Sequence, residues 1–210
     1  LSTGQVAALT SVQINALASD DLKALTTTQV RALTSDQLSK LSSDQIALMA
    51  TDDIAALGTG QISHLSTSAI AALTTAQAKA LTTASINALT SAQVTAIETA
   101  DLAAMSTAQL SKLGTAQVAQ LTSVQVAALT SGQVKSLNSD QVAALTSAQL
   151  NALTSSQLPS LSTAQVRALT TDQLSKLTTT QIVGLSTAQV AALSTGQVAA
   201  LTSVQINALA

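Results

Sequence analysis

The residues of this chain best suited to chemistry are one histidine, His64, and two pairs of adjacent carboxylates, Asp20-Asp21 and Asp52-Asp53. A histidine can act as a general base or bind a metal ion, and neighbouring carboxylates can bind a hard cation such as Ca²⁺. The chain is also rich in Ser and Thr hydroxyls, which become nucleophiles when a base lies beside them. Whether these groups can act together depends on the elements that hold them.

A repeat of eight residues runs through the whole chain and sets the place of each group. Twenty-six octads fill residues 1–208, with the consensus Leu, Ser/Thr, Ser/Thr, variable, Gln, Val/Ile/Leu, variable, Ala. We number the octad positions from 1 to 8, starting at the leucine. Position 3 is Ser or Thr in every octad, and position 5 is Gln in 21 octads, the exceptions being Asp21, Asp53, Ala69, Ser85 and Asp101.

The eight-residue period favours a series of short helices over one long helix or a set of strands. In a continuous α-helix, eight residues advance about 80° beyond two full turns, so the leucines would not share a face. The apolar positions 1, 6 and 8 do not alternate as a half-buried strand requires. Gln, Ala and Leu are good helix formers. The pattern therefore predicts one short helix in each octad.

The start of that helix has two alternative registers in the sequence. If position 2 is the N-cap, Gln at position 5 completes a capping box, and positions 1 and 6 form a hydrophobic staple. If position 3 is the N-cap, its invariant hydroxyl is explained directly. The three octads with Asp at position 5 have Ala18, Ala50 and Glu98 at position 2, which suggests that positions 2 and 5 share a hydrogen-bonding role.

The charged residues support a helix and give its direction. All nine Asp residues occupy positions 4 or 5, and all eight Lys and Arg residues occupy positions 7 or 8. Acidic side chains near a helix N-terminus and basic side chains near its C-terminus each contribute about 0.3–1 kcal/mol through the helix dipole. The charges thus predict that each helix runs from about position 3 to about position 8.

These short helices predict an all-α fold, an α-solenoid with one helix per octad. We expect two octads per superhelical turn, by analogy with solenoids of helix pairs. Leu at position 1 and the apolar residue at position 6 should point inward, whereas positions 4 and 7 should point outward. Residues 1–210 are expected to form a single repeat domain of twenty-six octads and to be a fragment of a longer array.

Two local features depart from the repeat. Pro159, in LTSSQLPS, removes a backbone N–H and disfavours helix at Leu158, so we expect one distorted or kinked coil, with a hinge as the alternative. The segment LSTGQVAALTSVQINALA occurs at 1–18 and again, identical, at 193–210. This identity indicates either a longer-period duplication or an engineered terminal repeat.

Placed within the octad, the candidate chemical groups have structural explanations. His64 occupies position 8, which is Lys40 and Lys176 elsewhere, and no second His or Cys completes a typical zinc site. The carboxylate pairs lie at positions 4 and 5, where the helix dipole accounts for them, and the hydroxyls are explained as helix caps. We therefore predict no catalytic, cofactor-binding or metal-binding residues, no cofactor and no enzymatic activity.

The amino-acid composition argues against two classes of function, nucleic-acid binding and membrane insertion. Charged residues make up 9% of the chain, and its eight basic residues are scattered, so the clustered Lys and Arg of a nucleic-acid-binding protein are missing. No apolar run approaches the roughly 18 residues of a membrane span, so we expect no membrane insertion. The chain has no Phe, Tyr, Trp or Cys, and its core must be built from Leu, Ile, Val and Ala.

The motifs LTTAQAKAL, LSTAQVAAL and LTSAQLNAL resemble the octapeptide LTxxQVxA tandem arrays of very large bacterial secreted or surface proteins, often labelled haem-utilisation or adhesion proteins. The resemblance implies an extracellular or cell-surface location. Uniform repetition favours a non-catalytic spacer or stalk in a large secreted or surface protein. The alternative is an adhesive or ligand-binding module that uses the Ser/Thr-rich outer face to contact a surface or glycan ligand. End-to-end self-association is a further expectation, because the ends lack polar capping repeats.

Overall fold

The computed structural model describes residues 1–209, and the elements in this range are 25 short α-helices and one 3₁₀-helix, with no β-strand. The helices are α1 Thr3–Ala8, α2 Ser11–Asn15, α3 Ser19–Lys23, α4 Thr27–Arg31, α5 Ser35–Lys40, α6 Ser43–Leu48, α7 Thr51–Ala56, α8 Thr59–Ile62, α9 Thr67–Ala71, α10 Thr75–Ala80, α11 Thr83–Ala88, α12 Ser91–Ala96, α13 Thr99–Ala104, α14 Thr107–Leu110, α15 Thr115–Gln120, α16 Ser123–Ala128, α17 Ser131–Ser136, α18 Ser139–Ala144, α19 Ser147–Asn151, the 3₁₀-helix Leu158–Ser160, α20 Thr163–Ala168, α21 Thr171–Ser175, α22 Thr179–Val183, α23 Thr187–Ala191, α24 Thr195–Ala200 and α25 Ser203–Leu209. Each octad thus contains one helix, which confirms the predicted all-α fold and its spacing.

The N-cap of the helices is position 2, which resolves the two registers that the sequence leaves open. In α1 the Ser2 backbone is extended, with φ −75° and ψ 164°, and the Ser2 hydroxyl accepts a hydrogen bond from the Gln5 backbone N–H. The Gln5 side-chain oxygen accepts in return from the Ser2 backbone N–H at 2.7 Å. This is a capping box, and it places position 3 as the first helical residue.

The helices stack with a period of three octads, so the prediction of two octads per superhelical turn is wrong. Helix α10 packs against α7 below it and α13 above it, and in the same way α18 packs against α15. The connection explains the difference. Only Leu41 and Ser42 separate α5 from α6, and both have extended backbones. Two antiparallel helices are joined by a loop that folds the chain back on itself, whereas the bend at Leu41 and Ser42 turns the chain onto the next side of a three-sided coil.

The chain comprises two compact units, one spanning Leu1–Lys112 and the other beginning at Leu113. Within each unit the interior is built from positions 1 and 6. Every residue at these positions from Val30 to Leu185 is buried, and position 6 is at most 1% exposed. Position 4 is exposed in every octad. The predicted inward positions are therefore confirmed in this range, and the outward prediction is confirmed for position 4. Position 7 is exposed in some octads, as at Lys79, and half-buried in others, as at Ala103.

The octad that contains Pro159 is distorted, as the sequence predicts. Its α-helix is replaced by a turn and the 3₁₀-helix Leu158–Ser160, because proline cannot donate the backbone hydrogen bond of an α-helix. The cap of the octad is preserved: the Thr154 backbone N–H donates to Gln157 Oε1 at 2.7 Å. The distortion thus spans residues 155–160 of one octad and leaves its cap in place.

Candidate functional site: the glutamine ladder

The most distinctive polar feature of the structure is a set of glutamines at position 5 that join successive coils. Gln37 is 1% exposed. Its Oε1 accepts from the Thr34 backbone N–H at 2.8 Å, which is the capping bond. Its Nε2 donates to the carbonyl oxygens of Val6, at 2.8 Å, and Leu9, at 2.6 Å, in the coil below. One side chain therefore caps its own helix and bonds two coils together.

The same geometry recurs in both units. In the first unit, Gln77 Nε2 donates to the carbonyl oxygens of Ile46 and Met49, both at 2.8 Å. In the second unit, Gln165 Nε2 donates to those of Val134 and Leu137, at 3.1 and 2.7 Å. We call these position-5 residues the glutamine ladder; its members with such bonds include Gln29, Gln37, Gln45, Gln61, Gln77, Gln93 and Gln109 in the first unit and Gln141, Gln149, Gln157, Gln165, Gln173, Gln181, Gln189, Gln197 and Gln205 in the second.

The chemistry of the carboxamide explains why glutamine holds this place. The side chain has one acceptor oxygen and an NH₂ group with two donors, which match the cap N–H of its own helix and two carbonyls of the coil below. A glutamate could accept from the cap N–H but could not donate to the carbonyls. The only Glu in the chain is Glu98, at position 2, and no octad has Glu at position 5. Capping alone would not produce this exclusion, since Glu and Gln both complete a capping box.

Two buried aspartates replace ladder glutamines. Asp101, on α13, accepts a hydrogen bond from Thr75 Oγ1 at 2.7 Å. Asp53, on α7, is 3% exposed, and burial, followed by the neighbouring Asp52 carboxylate, raises its pKa above the usual value for Asp. Gln61 in the next octad reaches carbonyls 28 and 31 residues earlier. The same offsets place Asp53 opposite the Leu25 and Leu22 carbonyls. These carbonyl oxygens repel an ionised Asp53, whereas a protonated Asp53 could donate a hydrogen bond to one of them.

The residues that the sequence singles out for chemistry lie on, or just beyond, three different helices. His64 is exposed just beyond the end of α8, and Asp20 and Asp21 are exposed in the first turn of α3. Asp52 is exposed on α7, beside the buried Asp53. Within residues 1–209 no three His, Cys, Asp or Glu side chains are grouped so that they could hold a metal ion.

Hydroxyls at position 3 make a second kind of contact between coils. Ser43 Oγ donates to the Ser68 carbonyl oxygen at 3.1 Å in the first unit, and Ser131 Oγ donates to that of Ser156 at 3.2 Å in the second. Because position 2 is the cap, position 3 is the first residue of the helix, and its hydroxyl can bond to the coil above. This role accounts for part of its invariance.

The role of glutamine between coils is the functional feature that the sequence analysis missed. The sequence assigns position 5 to the cap and indicates no hydrogen-bonding partner outside the octad. That partner lies three to four octads earlier in the chain, and the predicted two octads per turn would place a different octad beside the glutamine. The absence of Glu from position 5 is the signal that could have revealed it.

Comparison with known proteins places the repeat in one family model. The model described as the ALTTAQ repeat matches seven overlapping stretches that together cover residues 14–83 and 94–210; they are 14–51, 46–83, 94–131, 127–155, 147–179, 155–187 and 179–210. No curated protein matches the chain. None of the helices in the described part of the chain combines the length and the hydrophobicity needed to cross a bilayer.

Proposed function

The chain belongs to the ALTTAQ repeat family and is a structural repeat protein, and we propose that it acts as a non-catalytic spacer or stalk within a large secreted or surface protein. The observation that carries this proposal is the glutamine ladder. The same neutral side chain, in the same octad position, bonds coil to coil in both units. The likeness of the octads to the LTxxQVxA arrays of bacterial surface proteins supports the proposed location.

The ladder has properties that suit a spacer. Its hydrogen bonds join neutral groups, so salt screens them far less than it screens ion pairs on the surface. Within each unit the helices that pack together are three octads apart, so a coil packs on the coils before and after it. The stability of such an array is approximately a sum of local terms. Adding a coil therefore lengthens the array without requiring a new kind of contact.

Single-molecule force spectroscopy on the whole chain, held at its two ends, tests this role. A spacer that carries tension should unfold in discrete steps, each a multiple of one 24-residue coil, or about 80 Å of extended chain per coil. A variant with Ala in place of Gln77 and Gln165 should unfold at lower force, because both units then lose a bond between coils. A chain that extends smoothly at the lowest forces, without steps, would contradict the proposal.

The alternative function is an adhesive module that binds a surface or glycan ligand through its Ser/Thr-rich outer face. The exposed row at position 4, which includes Ser68, Thr180 and several Ala and Gly residues, is the face available to such a ligand. Many hydroxyls at positions 2 and 3 already take part in caps and in contacts between coils, which favours the spacer. Saturable binding in a glycan array, lost on substitution of position-4 residues, would favour the adhesive module instead.

A further inference from the structure

One break in the glutamine ladder opens onto a cavity. Ser85 takes position 5 on α11 and is 1% exposed. Its Oγ hydrogen-bonds with Thr82 Oγ1 at 2.8 Å, within its own cap. The serine is too short to reach the coil below. Ladder glutamines bond the carbonyl 28 residues earlier in the chain. For Ser85 this is the Leu57 carbonyl oxygen, which therefore receives no hydrogen bond from a position-5 amide.

The cavity is an open pocket on the surface at this break, with a volume of about 460 Å³. Its lining includes Leu57 and Gly58 from the bend of the lower coil and Thr82 and Ser85 from the upper coil. Arg31 lies at its edge, where Nε donates to the Ala56 carbonyl oxygen at 3.3 Å. Within residues 1–209 the guanidinium of Arg31 forms no ion pair, so its positive charge is available to an anion.

Neighbouring octads show which chemical group fits between two such coils. Gln93 Oε1 accepts from the Thr90 backbone N–H at 2.8 Å, and Gln93 Nε2 donates to the Ile62 and Leu65 carbonyl oxygens at 2.9 and 2.7 Å. At Ser85 the matching donor is the Thr82 backbone N–H and the matching acceptor is the Leu57 carbonyl. The cavity thus offers the hydrogen-bonding partners that hold a primary carboxamide eight residues further along the chain.

We propose that this pocket binds a ligand that has both a primary carboxamide and a carboxylate. The pocket, the unmatched Leu57 carbonyl and the adjacent Arg31 guanidinium support this proposal. The amide NH₂ donates to the Leu57 carbonyl oxygen, and the amide oxygen accepts from the Thr82 N–H. The carboxylate lies toward Arg31. The carboxamide belongs either to a small free molecule that has both groups or to a glutamine side chain in a peptide with an acidic residue beside it.

Titration of the ¹⁵N-labelled chain with three probes tests the proposal: propionamide, succinamate and the peptide acetyl-Glu-Gln-Ala-N-methylamide, whose only primary carboxamide is the Gln side chain and whose Glu supplies the carboxylate. Saturable shifts are expected at the backbone amides of Gly58, which follows the Leu57 carbonyl, and of Thr82 and Ser85. Succinamate should bind up to about fivefold more tightly than propionamide, which is the range of an exposed ion pair. Stronger binding of the peptide than of succinamate would identify a protein as the source of the amide, and weaker binding would identify a small molecule. No saturable shift with any probe would overturn the proposal.

Three variants separate the parts of the site. Ser85→Gln supplies a tethered carboxamide and should abolish binding of every probe, whereas Ser85→Ala, which leaves the space open, should retain it. Equal binding by Ser85→Gln and the native chain would overturn the assignment. Arg31→Gln should remove the preference for succinamate over propionamide, and a preference that persists would show that the carboxylate does not lie near Arg31.

Discussion

The side-chain amide of Gln77 donates a 2.8 Å hydrogen bond to the carbonyl oxygen of Met49, 28 residues earlier in the chain. Both groups are buried between two coils, where an unpaired polar group costs more than a hydrogen bond contributes. The chain therefore has a polar bond between coils in its interior. Removing one partner tests its contribution.

We expect Gln77→Ala to destabilise the first unit by about 1–3 kcal/mol, since the substitution leaves the Met49 carbonyl without its buried partner and leaves the Ile46 carbonyl with only the bond from the Met49 backbone N–H. Gln77→Glu should be nearly as destabilising, because a glutamate retains the cap but cannot donate. Guanidinium denaturation followed by circular dichroism measures both. Gln13→Ala is the matched control: Gln13 makes the same capping bond but is exposed. An equal loss at Gln13 and Gln77 would show that only the cap contributes.

Asp53→Gln should stabilise the chain at pH 7, by about 1–2 kcal/mol if the new amide makes both bonds of the ladder. The pKa of Asp53 is raised in the folded state, so the folded chain binds this proton more tightly than the unfolded chain does. The native chain therefore loses stability from this group as pH rises through the folded pKa and regains it as pH falls toward the unfolded pKa near 3.9.

Thermal denaturation of the native chain and of Asp53→Gln between pH 4 and pH 8 checks this sign. The difference in melting temperature should be largest at neutral pH and should narrow on acidification. Asp44→Asn is the control, because Asp44 is exposed at position 4 of another octad and its removal should change the pH dependence much less. A difference that widens as pH falls would contradict the prediction.

Pro159→Ala should restore an α-helix to residues 155–160, since position 7 is Ala in many octads and the missing backbone N–H is replaced. Hydrogen exchange should show new protection at the amide of residue 159. The reciprocal substitution, Ala143→Pro in α18, should convert a regular octad into a distorted one and cost up to about 3 kcal/mol. Unchanged protection in Pro159→Ala would mean that residues other than the proline distort this octad.

Deletion of residues 121–144, three complete octads of the second unit, should leave a folded chain, because Gln120 then joins Leu145 with the octad period preserved. The ellipticity per residue should not change. Deletion of twelve residues, 121–132, breaks the period and should unfold the coils around the junction. If the two deletions have equal helicity, the octad is not the unit that the coils require.

Local features of this fold could be predicted from the sequence, because they depend on residues within one octad. The sorting of Asp20 and Lys23 to opposite ends of α3 gives the helix and its direction. The cap remained ambiguous between Ser2 and Thr3, since either hydroxyl can bond a helical N–H. Only the structure shows the φ and ψ of Ser2 and hence the register.

Relationships between octads were less accessible. The octads that stack are three apart, as the bond between Gln37 and Leu9 shows. The sequence, however, has no pattern with a period of 24 residues that would reveal this pairing. The apolar positions of all three sides are alike, so nothing in their composition distinguishes a three-sided coil from a two-sided one. Bend geometry at Leu41 and Ser42 decides between them, and it becomes visible only in the backbone.

Among residues 1–209 no backbone has a positive φ and no peptide bond is cis. Each corner of the coil is therefore made by ordinary L-amino acids, and no corner depends on a glycine in a strained conformation. A gene segment of 24 nucleotides encodes one octad, with its cap, helix and bend. Unequal recombination can therefore add or remove whole octads without breaking the repeat period. Such arrays can consequently change their reach over evolutionary time without any compensating substitution at the join.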